Sequence, residues 1–257
     1  MRIDLTNRRV LVTGASRGIG LAVAHRFAEA GADLIVLSED NAIEDAARQI
    51  REKSGRAAQA VICDISDREA VRRTVGSLER IDVLINNAAI ERFVPILDQD
   101  PKVEEDFLRT VAINMVGNFF VTREAVRLMG RGGRIIFTSS VWGRTAVASH
   151  VAYCGTKHGI IGMMRSLSRE LGDSGITVNV VCPGWTETEM AMMNLRRMAE
   201  LEGRDPDDLL RQQLAGQSIK KLLQPDDLAG IYVFLASDHA ASITGQAINV
   251  DHGEFLA

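Results

Sequence analysis

The segment VAYCGTKHG, residues 151–159, places two side chains that can carry a proton close together. Tyr153 is one of only two tyrosines in the 257 residues, and Lys157 follows it by one helical turn. On a helix the two side chains would lie side by side, as an acid/base pair requires. A tyrosine packed on a helix face beside an extended lysine would have the same spacing. The spacing alone fits both interpretations.

A glycine-rich stretch, TGASRGIG at 13–20, contains Gly14, Gly18 and Gly20. Glycines between a strand and a helix allow a tight turn, and they let backbone N–H groups at the helix N-terminus approach a pyrophosphate. A glycine cluster alone is weak evidence, because any tight turn favours glycine. Its place after the first strand of an alternating chain predicts a dinucleotide site, with G-x-x-x-G-x-G in place of the commoner G-x-G-x-x-G.

Short apolar runs alternate with longer helical patterns along the chain. The runs are continuously apolar, as in parallel strands covered on both faces, and they predict about seven strands, at 9–14, 33–38, 57–64, 81–89, 133–140, 176–184 and 245–251. Segments such as 19–30 and 160–172 have apolar residues at a period of about 3.6. The pattern predicts an α/β fold, a doubly wound parallel sheet with helices on both faces. Residues 1–257, with no repeat or linker, are expected to form a single domain.

Composition argues against several classes of protein. The chain has 46% hydrophobic and 25% charged residues, as an ordinary soluble globular protein does. Its net charge of -4 argues against nucleic acid or an anionic membrane as the main partner, and no apolar stretch approaches the roughly 18 residues of a membrane span. The N-terminus has no secretory apolar run, and Cys63, Cys154 and Cys182 form no CxxC motif. A cytoplasmic protein is expected.

Beyond these patterns, the chain resembles the short-chain dehydrogenase/reductase superfamily over essentially its whole length. The resemblance rests on motifs in the order and spacing of the family: TGASRGIG at 13–20, CDIS at 63–66, NNAA at 86–89, Asn114 in AINMVGNFF, Ser140 in TSSVWG, YCGTK at 153–157 and CPGWTET at 182–188. NNAA replaces the usual NNAG, and the C-terminal VDHG replaces the usual VDGG. The resemblance implies a Rossmann-like fold, an NAD(P) cofactor, and a helical lid, residues 185–218, before the last helix–strand unit.

The resemblance gives Tyr153 and Lys157 a specific chemistry. Hydride transfer from an alcohol carbon requires a base for the hydroxyl proton, and the reverse reaction requires an acid. As that acid/base, Tyr153 needs its pKa lowered from about 10 by about 2–3 units, or ~3–4 kcal/mol. The Lys157 ammonium at ~4 Å would supply about 4 kcal/mol at an effective dielectric near 20.

The resemblance also implies roles for neighbouring residues. Lys157 binds the nicotinamide ribose as well as tuning Tyr153, Ser140 holds the substrate oxygen, and Asn114 orders a proton-relay water. Ser139 is the alternative to Ser140, but the thirteen-residue step from Ser140 to Tyr153 is the usual separation in the family. Besides Tyr153 and Lys157, the implied cofactor-binding residues are Gly14, Ser16, Arg17, Gly18, Ile19, Gly20, Ser38, Glu39, Asp64, Ile65, Asn87, Ala88, Pro183, Gly184 and Thr188.

Three of these residues bear on the choice between NAD and NADP. An acid at the end of the second strand usually hydrogen-bonds the adenosine ribose and repels a 2′-phosphate, and here Glu39 follows Ser38. Arg17 is instead a feature of relatives that use NADPH, because a guanidinium binds the phosphate. One arginine compensates poorly for a carboxylate that faces a dianionic phosphate, so NAD is favoured over NADP. Glu39 as a solvated acid near a helix start is the alternative.

Substrate recognition is expected in the segments 90–94, 141–150 and 185–218, which follow the fourth, fifth and sixth strands. The candidate substrate residues are Arg92, Trp142, His150 and Trp185. Most charges in these segments, including Glu91, are expected to be solvated. Four of the nine methionines lie between 190 and 198, which suits either a closing lid or a helix pair in which they simply pack.

Several substrate classes fit the sequence. The CPGW turn and FLASDHAASITGQAINVD are similar to those of 3-hydroxybutyrate dehydrogenases and related hydroxyacid or polyol enzymes, although Trp142 stands where those dehydrogenases have a pocket histidine. We therefore predict an oxidoreductase that transfers hydride between a secondary alcohol and NAD(P). An NADPH-dependent 3-oxoacyl-type ketoreductase is the alternative enzyme. An NAD(P)-sensing binding protein is the alternative without catalysis, but a sensor does not need an intact proton relay.

The sequence also contains a candidate metal site. His150, Cys154 and His158 are spaced four residues apart, as zinc ligands on one helix face would be. A fourth ligand is not evident, and His150 is expected to precede the helix. Packing or surface roles are therefore favoured, and no metal is predicted.

Two helical patterns indicate self-association. Residues 103–129 are predicted to form one long helix with apolar residues on more than one side, and the helix after Tyr153 is apolar over a wide arc. A helix that covers a sheet needs one apolar stripe, so a second stripe indicates a second partner. If each of these two helices packed against its symmetry mate, they would form a four-helix interface, as in tetramers of the family. A homotetramer is expected, and coverage by the chain's own lid is the alternative.

Overall fold

The computed structural model describes residues 3–256, and within them seven parallel strands form one sheet. The strands are β1 (Arg9–Thr13), β2 (Asp33–Ser38), β3 (Ala58–Ile62), β4 (Val83–Asn86), β5 (Arg134–Thr138), β6 (Thr177–Pro183) and β7 (Ala247–Val250). Their order in the sheet is β3-β2-β1-β4-β5-β6-β7. The chain changes direction across the sheet between β1 and β4, so the crevice at their carboxyl ends is where a ligand is expected. The predicted α/β fold is confirmed.

Helices connect the strands and cover both faces of the sheet. They are α1 (Gly18–Glu29), α2 (Ala42–Ser54), α3 (Arg68–Thr74), α4 (Pro101–Val111), α5 (Asn118–Val126), α6 (Val151–Glu170), α7 (Glu189–Glu202), α8 (Pro206–Ala215) and α9 (Pro225–Ala236). Short 3₁₀ turns lie at Val141–Gly143 and Asp238–Ala240. Within residues 3–256, no helix has the length and apolar character needed to cross a bilayer.

Alternate residues of each central strand face opposite layers of core. On one side, Val10 and Val36 pack with Phe27 of α1 and Tyr232 of α9. On the other side, Leu11, Ile35 and Phe137 pack with residues of α5 and α6 such as Val121 and Met164. Burial on both faces explains why the strands are continuously apolar in sequence.

The predicted long helix at 103–129 is wrong in one respect, because a π-helical turn at Ala112–Gly117 separates α4 from α5. The side chain of Asn118 donates to the Asn114 carbonyl oxygen (2.8 Å) within this turn. Gly117 packs so closely on Ile65 that a Cβ atom there would lie 2.7 Å from Ile65 Cγ1. The wider turn directs the Asn114 side chain toward the loop after β4, where it bonds the backbone of Ile90.

The segment before α9 forms a helix pair, α7 and α8, with a small core of its own. Trp185, Leu195, Met198 and Leu209 are buried in this core. Met198 therefore packs inside the pair, as the alternative for the methionine group predicts. The pair occupies the position of the expected lid.

Candidate active site

A cavity of about 440 Å³ opens at the carboxyl ends of the strands. Its walls are formed by the segments that follow β1 through β6 and by Tyr153 and Lys157 of α6. Every predicted cofactor-binding residue lines this cavity except Gly20. Gly20 instead packs against the turn before it, where a Cβ atom would lie 2.2 Å from the Gly14 carbonyl oxygen.

The glycine-rich turn is fixed by the segment that follows β4. Gly14 and Gly18 have positive φ angles of 64° and 56°, which side chains disfavour. The Thr13 hydroxyl accepts hydrogen bonds from the backbone N–H groups of Asn87 (3.0 Å) and Ala88 (3.1 Å). The Asn87 side-chain amide donates to the carbonyl oxygens of Thr13 and Gly14, both at 3.2 Å. The NNAA motif thus holds the turn in place. Thr13 also supports the turn, a role that the sequence motif alone did not indicate.

The first turn of α1 fits a pyrophosphate. The N-cap residue Arg17 makes no side-chain cap hydrogen bond, and no acidic residue lies in the first turn. Backbone N–H groups at such a helix start attract anions through their partial positive charge. The close approach at Gly14, where a Cβ atom would lie 2.7 Å from Ala88 Cα, leaves backbone exposed to the cavity. The residues present therefore fit the phosphates of a dinucleotide.

The adenosine end of the cavity carries a charge network that the sequence did not indicate. Arg109 of α4 lies 2.9 Å from Asp64 and 3.7 Å from Glu39. Burial opposes ionisation of Asp64, but hydrogen bonds from Ser66 and Arg109 hold its pKa below the ordinary value. The Ser38 hydroxyl donates to the Asp40 carbonyl oxygen at 3.1 Å. Ser38 is thus bonded within its own turn, and the carboxylate at this rim is that of Glu39, about half exposed.

The lid approaches the glycine-rich turn from the opposite side. Thr188 caps α7 by accepting a hydrogen bond from the Ala191 N–H (3.1 Å), and a Cβ atom on Gly18 would lie 3.3 Å from the Thr188 methyl group. Arg17 lies 3.8 Å from Glu189, the first residue of α7. The cofactor-binding segment and the lid therefore meet across the cavity.

Tyr153 and Lys157 lie side by side on α6 beneath the end of β5, as predicted. Both are almost fully buried, with 7% and 3% of their surfaces exposed. The Lys157 ammonium donates to the Thr138 carbonyl oxygen (2.9 Å) and lies 5.3 Å from the centre of the Tyr153 ring. Ser139 donates its hydroxyl to the Lys157 carbonyl oxygen (2.8 Å), whereas the Ser140 oxygen accepts from the Trp142 N–H (3.1 Å) and its hydroxyl is directed to the Tyr153 oxygen. This difference favours Ser140 over Ser139.

The pKa of Tyr153 departs from the expectation based on Lys157. Burial is the largest cause and raises it well above the ordinary value, the negative charge of Glu91 raises it further, and hydrogen bonding to Ser140 opposes the shift. Burial also lowers the pKa of Lys157 to about 8, although Glu91 and Cys182 favour the charged ammonium. The ammonium is directed to the Thr138 carbonyl oxygen rather than to the phenol, so desolvation outweighs its attraction. In this arrangement Tyr153 keeps its proton at neutral pH.

Asn114 does not line the cavity, and its amide is occupied. Its Oδ1 accepts from the Ile90 N–H, and its Nδ2 donates to the Ile90 carbonyl oxygen, both at 2.8 Å. The same Nδ2 also lies 3.3 Å from the Thr156 hydroxyl of α6. Asn114 thus ties the loop that carries residues 90–91 to the helix that carries Tyr153.

Glu91 and His150 depart from the expectation that most charges in these segments are solvated, because both are buried. Glu91 has 8% and His150 0% of its surface exposed, and His150 Nε2 lies 3.2 Å from Glu91 Oε1. The two loops that carry them are joined, because the Val94 N–H donates to the Ser149 carbonyl oxygen at 2.7 Å. Glu91 lines the cavity and His150 lies behind it. Glu91 lies in the loop after β4, two residues beyond NNAA, where a site residue is expected, and its position is the signal available in the sequence.

Aromatic rings surround this buried pair. The ring of Trp142 lies 5.3 Å from His150, 6.1 Å from Tyr153 and 5.6 Å from Trp185, and Phe93 stacks edge-on against His150 at 4.4 Å. Trp142 and Trp185 line the cavity, as predicted. Arg92 also lines it, but its side chain is 48% exposed and lies 3.8 Å from Asp106.

The candidate zinc ligands do not converge. His150 is the N-cap residue of α6, as expected, and its Nδ1 bonds the Ala148 carbonyl oxygen (3.0 Å). His158 Nδ1 bonds the Cys154 carbonyl oxygen (2.9 Å). In the part of the chain that the structure describes, no three His, Cys, Asp or Glu side chains are grouped as a metal site.

Known proteins are similar to this chain in sequence and architecture. The family described as enoyl-(acyl carrier protein) reductase matches residues 14–254. A 3-oxoacyl-[acyl-carrier-protein] reductase of Rickettsia conorii is 32% identical over 262 residues, which cover 99% of each chain. The structure of NAD⁺-bound xylitol dehydrogenase matches with a TM-score of 0.90 at 30% identity, over 96% of this chain and 99% of that one. L-Sorbose reductase from Gluconobacter frateurii, solved with NADPH and L-sorbose, gives a TM-score of 0.90 at 26% identity over 100% of both chains.

The matches extend over the whole cavity-forming chain, and the sheet order, the glycine-rich turn and the Tyr153–Lys157 helix agree with the motifs that first suggested the family. The chain therefore belongs to the short-chain dehydrogenase/reductase superfamily, oxidoreductases that transfer hydride between alcohol or keto groups and a nicotinamide cofactor.

Proposed function

We propose that Tyr153 is the general acid/base of this oxidoreductase and that Ser140 holds the reacting oxygen beside it. The observation that carries the proposal is the burial of Tyr153 and Lys157 in one cavity wall, with the Ser140 hydroxyl directed to the Tyr153 oxygen. The bound nicotinamide supplies the hydride acceptor or donor. Lys157 holds its ribose, and the glycine-rich turn holds its phosphates.

The raised pKa of Tyr153 keeps the phenol protonated at neutral pH, the form that acts as an acid in the reductive direction. A protonated phenol donates its proton to the oxygen of a carbonyl group as hydride reaches the carbon, and Ser140 orients that oxygen. Lys157 provides a positive charge that favours the phenolate left behind. The amide of Asn114 is already bonded to Ile90 and lies next to Thr156. A proton-relay water would therefore be ordered by the polar groups near the contact between Asn114 and Thr156.

Charges at the adenosine end support NAD over NADP. Glu39 is at the ribose rim, and Arg109 lies nearer to Asp64 than to Glu39. Arg17, the cation available for a 2′-phosphate, is near Glu189, so a phosphate there would meet two carboxylates. NAD is therefore the proposed cofactor.

The chain acts as one catalytic domain in this proposal, with residues 185–218 as its lid. Met190 and Met193 of α7 line the cavity, and Met193 is exposed. Flexible apolar side chains at this rim can repack against different ligands. Burial of Met198 inside the α7–α8 pair lets the pair move as a unit.

A 3-oxoacyl ketoreductase is the second candidate, favoured by the 32% identity with the Rickettsia conorii enzyme over nearly the whole chain. An acetoacetyl thioester with NADPH distinguishes the two. Turnover of that thioester above all sugars, polyols and hydroxy acids would assign the second function.

A homotetramer is proposed from exposed apolar side chains on α4, the π-helical turn, α5 and α6. They are Phe107, Leu108, Met115, Val116, Phe119 and Val151. Patches of this kind on a helical surface mark association sites. Two-fold pairing of this surface would cover α6 and brace the helix that carries Tyr153 and Lys157.

Tyr153→Phe is expected to lower kcat by about 10²–10⁴-fold, the usual contribution of a general acid, while cofactor affinity stays nearly unchanged. The measurement is nicotinamide absorbance with any active substrate, together with a cofactor titration. Tyr232→Phe is the matched control, because Tyr232 is the other tyrosine and does not itself line the cavity, although its hydroxyl bonds that of Thr138. Turnover retained in Tyr153→Phe contradicts the assignment, whereas a wild type that binds the cofactor without any turnover favours a sensor.

Glu39→Arg is expected to shift the ratio of kcat/KM for NAD and NADP toward NADP by at least about tenfold, or about 1.4 kcal/mol. The substitution removes a carboxylate from the ribose rim and adds a cation that can act with Arg17. Glu52→Arg on the exposed face of α2 makes the same charge change away from the cavity. If the wild type already prefers NADP by about tenfold, the proposed preference is wrong.

Phe119→Glu is expected to split the assembly into smaller species at micromolar concentration, because a buried carboxylate in an apolar interface is strongly unfavourable. Light scattering during size exclusion measures the mass against the 28.1 kDa chain. Leu201→Glu, on an exposed position of the lid helix, should leave the mass unchanged. A wild-type mass of one chain, with full activity, disproves the tetramer.

A further inference from the structure

The Glu91 carboxylate is a buried hydrogen-bond acceptor without an aligned donor. Its side chain is 7% exposed, and it lines the cavity beside Tyr153. Within residues 3–256 its ion-pair partner is His150 Nε2 at 3.2 Å, and this contact lacks hydrogen-bond geometry. A buried carboxylate ordinarily accepts several hydrogen bonds, because desolvation without them is costly. The missing donors therefore point to a ligand.

The position of Glu91 is fixed by the protein backbone. The Asn114 amide bonds both backbone groups of Ile90, the preceding residue, at 2.8 Å. On the other side, the loop is joined to the one that carries His150 through the Val94–Ser149 hydrogen bond (2.7 Å). The carboxylate is thus held at the end of the cavity where the reacting carbon would lie.

The charged groups around Glu91 determine which ligand it can accept. The Lys157 ammonium and the His150 imidazole face it from α6 and its N-cap; Tyr153 and Cys154 are the other titratable groups beside it. A substrate ammonium is disfavoured, because it would place another cation near Lys157 in a wall that has one carboxylate, Glu91. A substrate carboxylate would be repelled by Glu91, and Arg92, exposed and near Asp106, is poorly placed to compensate.

Uncharged hydroxyl groups neither add a cation to this wall nor are repelled by the Glu91 carboxylate. A hydroxyl donates to a carboxylate and also accepts, so a polyhydroxylated chain can bond Glu91 and a donor elsewhere in the cavity. Trp185 is a cavity-lining residue whose indole N–H is buried without a hydrogen-bond partner. The two tryptophan rings offer apolar faces to the C–H groups of a carbon chain.

We propose that Glu91 accepts hydrogen bonds from hydroxyl groups next to the reacting carbon, and so selects uncharged polyhydroxylated substrates, polyols and ketoses, over hydroxy acids. This inference rests on the proposed function, because it takes Tyr153 as the reacting group. It makes Glu91 a specificity-determining residue and Asn114 a positioning residue for it.

The test uses pairs of pentitols and hexitols with the aldonates and 1-amino-1-deoxy alditols of the same configuration. Kinetics with NAD and NADP are measured for the wild type, Glu91→Gln and Glu52→Gln, the last removing an exposed carboxylate on α2. We expect the wild type to prefer the alditol over its aldonate by at least about tenfold in kcat/KM. Glu91→Gln should reduce this ratio to about threefold or less, and Glu52→Gln should not change it.

Binding is measured separately from turnover. Trp142 and Trp185 are the only two tryptophans and both line the cavity, so intrinsic fluorescence reports on alditol binding directly. In the Tyr153→Phe background, added Glu91→Gln is expected to raise the alditol Kd at least about fivefold. Circular dichroism checks the fold, and Glu91→Asp, which retracts the charge, replaces Glu91→Gln if that variant does not fold.

The outcomes separate this inference from the proposed function. Alditol binding that depends on Glu91 without any turnover supports the inference and contradicts the proposed chemistry. Turnover that prefers aldonates or amino alditols, or a ratio that Glu91→Gln leaves unchanged, overturns the inference while the chemistry stands. Alditols that neither bind nor react also overturn it.

Discussion

The Lys157 ammonium is held in an almost fully buried position by the carbonyl oxygen of Thr138, and the rest of the site is arranged around this contact. Its pKa of about 8, against an ordinary 10.5, corresponds to roughly 3 kcal/mol that the fold must offset. Because the folded-state pKa lies below that of the unfolded chain, this cost is present below about pH 8 and is relieved as the pH rises toward 10.5. The same burial keeps Tyr153 protonated, so one desolvated wall determines the state of both groups.

Two exposed charge clusters frame the cofactor end of the cavity, and they differ in kind from the buried wall. Arg17 with Glu189, and Arg109 with Glu39, are solvent-exposed pairs at 3.8 and 3.7 Å. Pairs of this type contribute little to stability, about 0–1 kcal/mol. A bound ligand can therefore rearrange these ion pairs at small cost in free energy. The buried groups around Tyr153, in contrast, must already be in their final positions before a ligand binds.

The sequence was sufficient to predict the sheet and most of the cavity, because both depend on local signals. Continuous apolar runs identified every strand of the sheet, and the motifs at the strand ends identified the cofactor residues that line the cavity. Two features depend on contacts between segments that are distant in sequence, so local sequence patterns could not predict them. The π-helical turn occurs together with the hydrogen bonds between Asn114 and Ile90, and Glu91 and His150 are buried where two loops join. The C-terminal VDHG motif keeps a turn in which His252 adopts a positive φ of 55°, a conformation usual for the glycine of the family pattern.

The direction of the Tyr153 pKa shift is the central claim, and NMR of protein labelled at tyrosine Cζ measures it directly. Tyr153 and Tyr232 give two resonances, which Tyr232→Phe assigns. We predict that in the cofactor-free protein Tyr153 stays protonated to at least about pH 10, the ordinary pKa of a phenol, and that Glu91→Gln lowers its pKa. Titration of Tyr153 near neutral pH in the cofactor-free protein would show that Lys157, and not burial, controls the phenol, and would contradict this account.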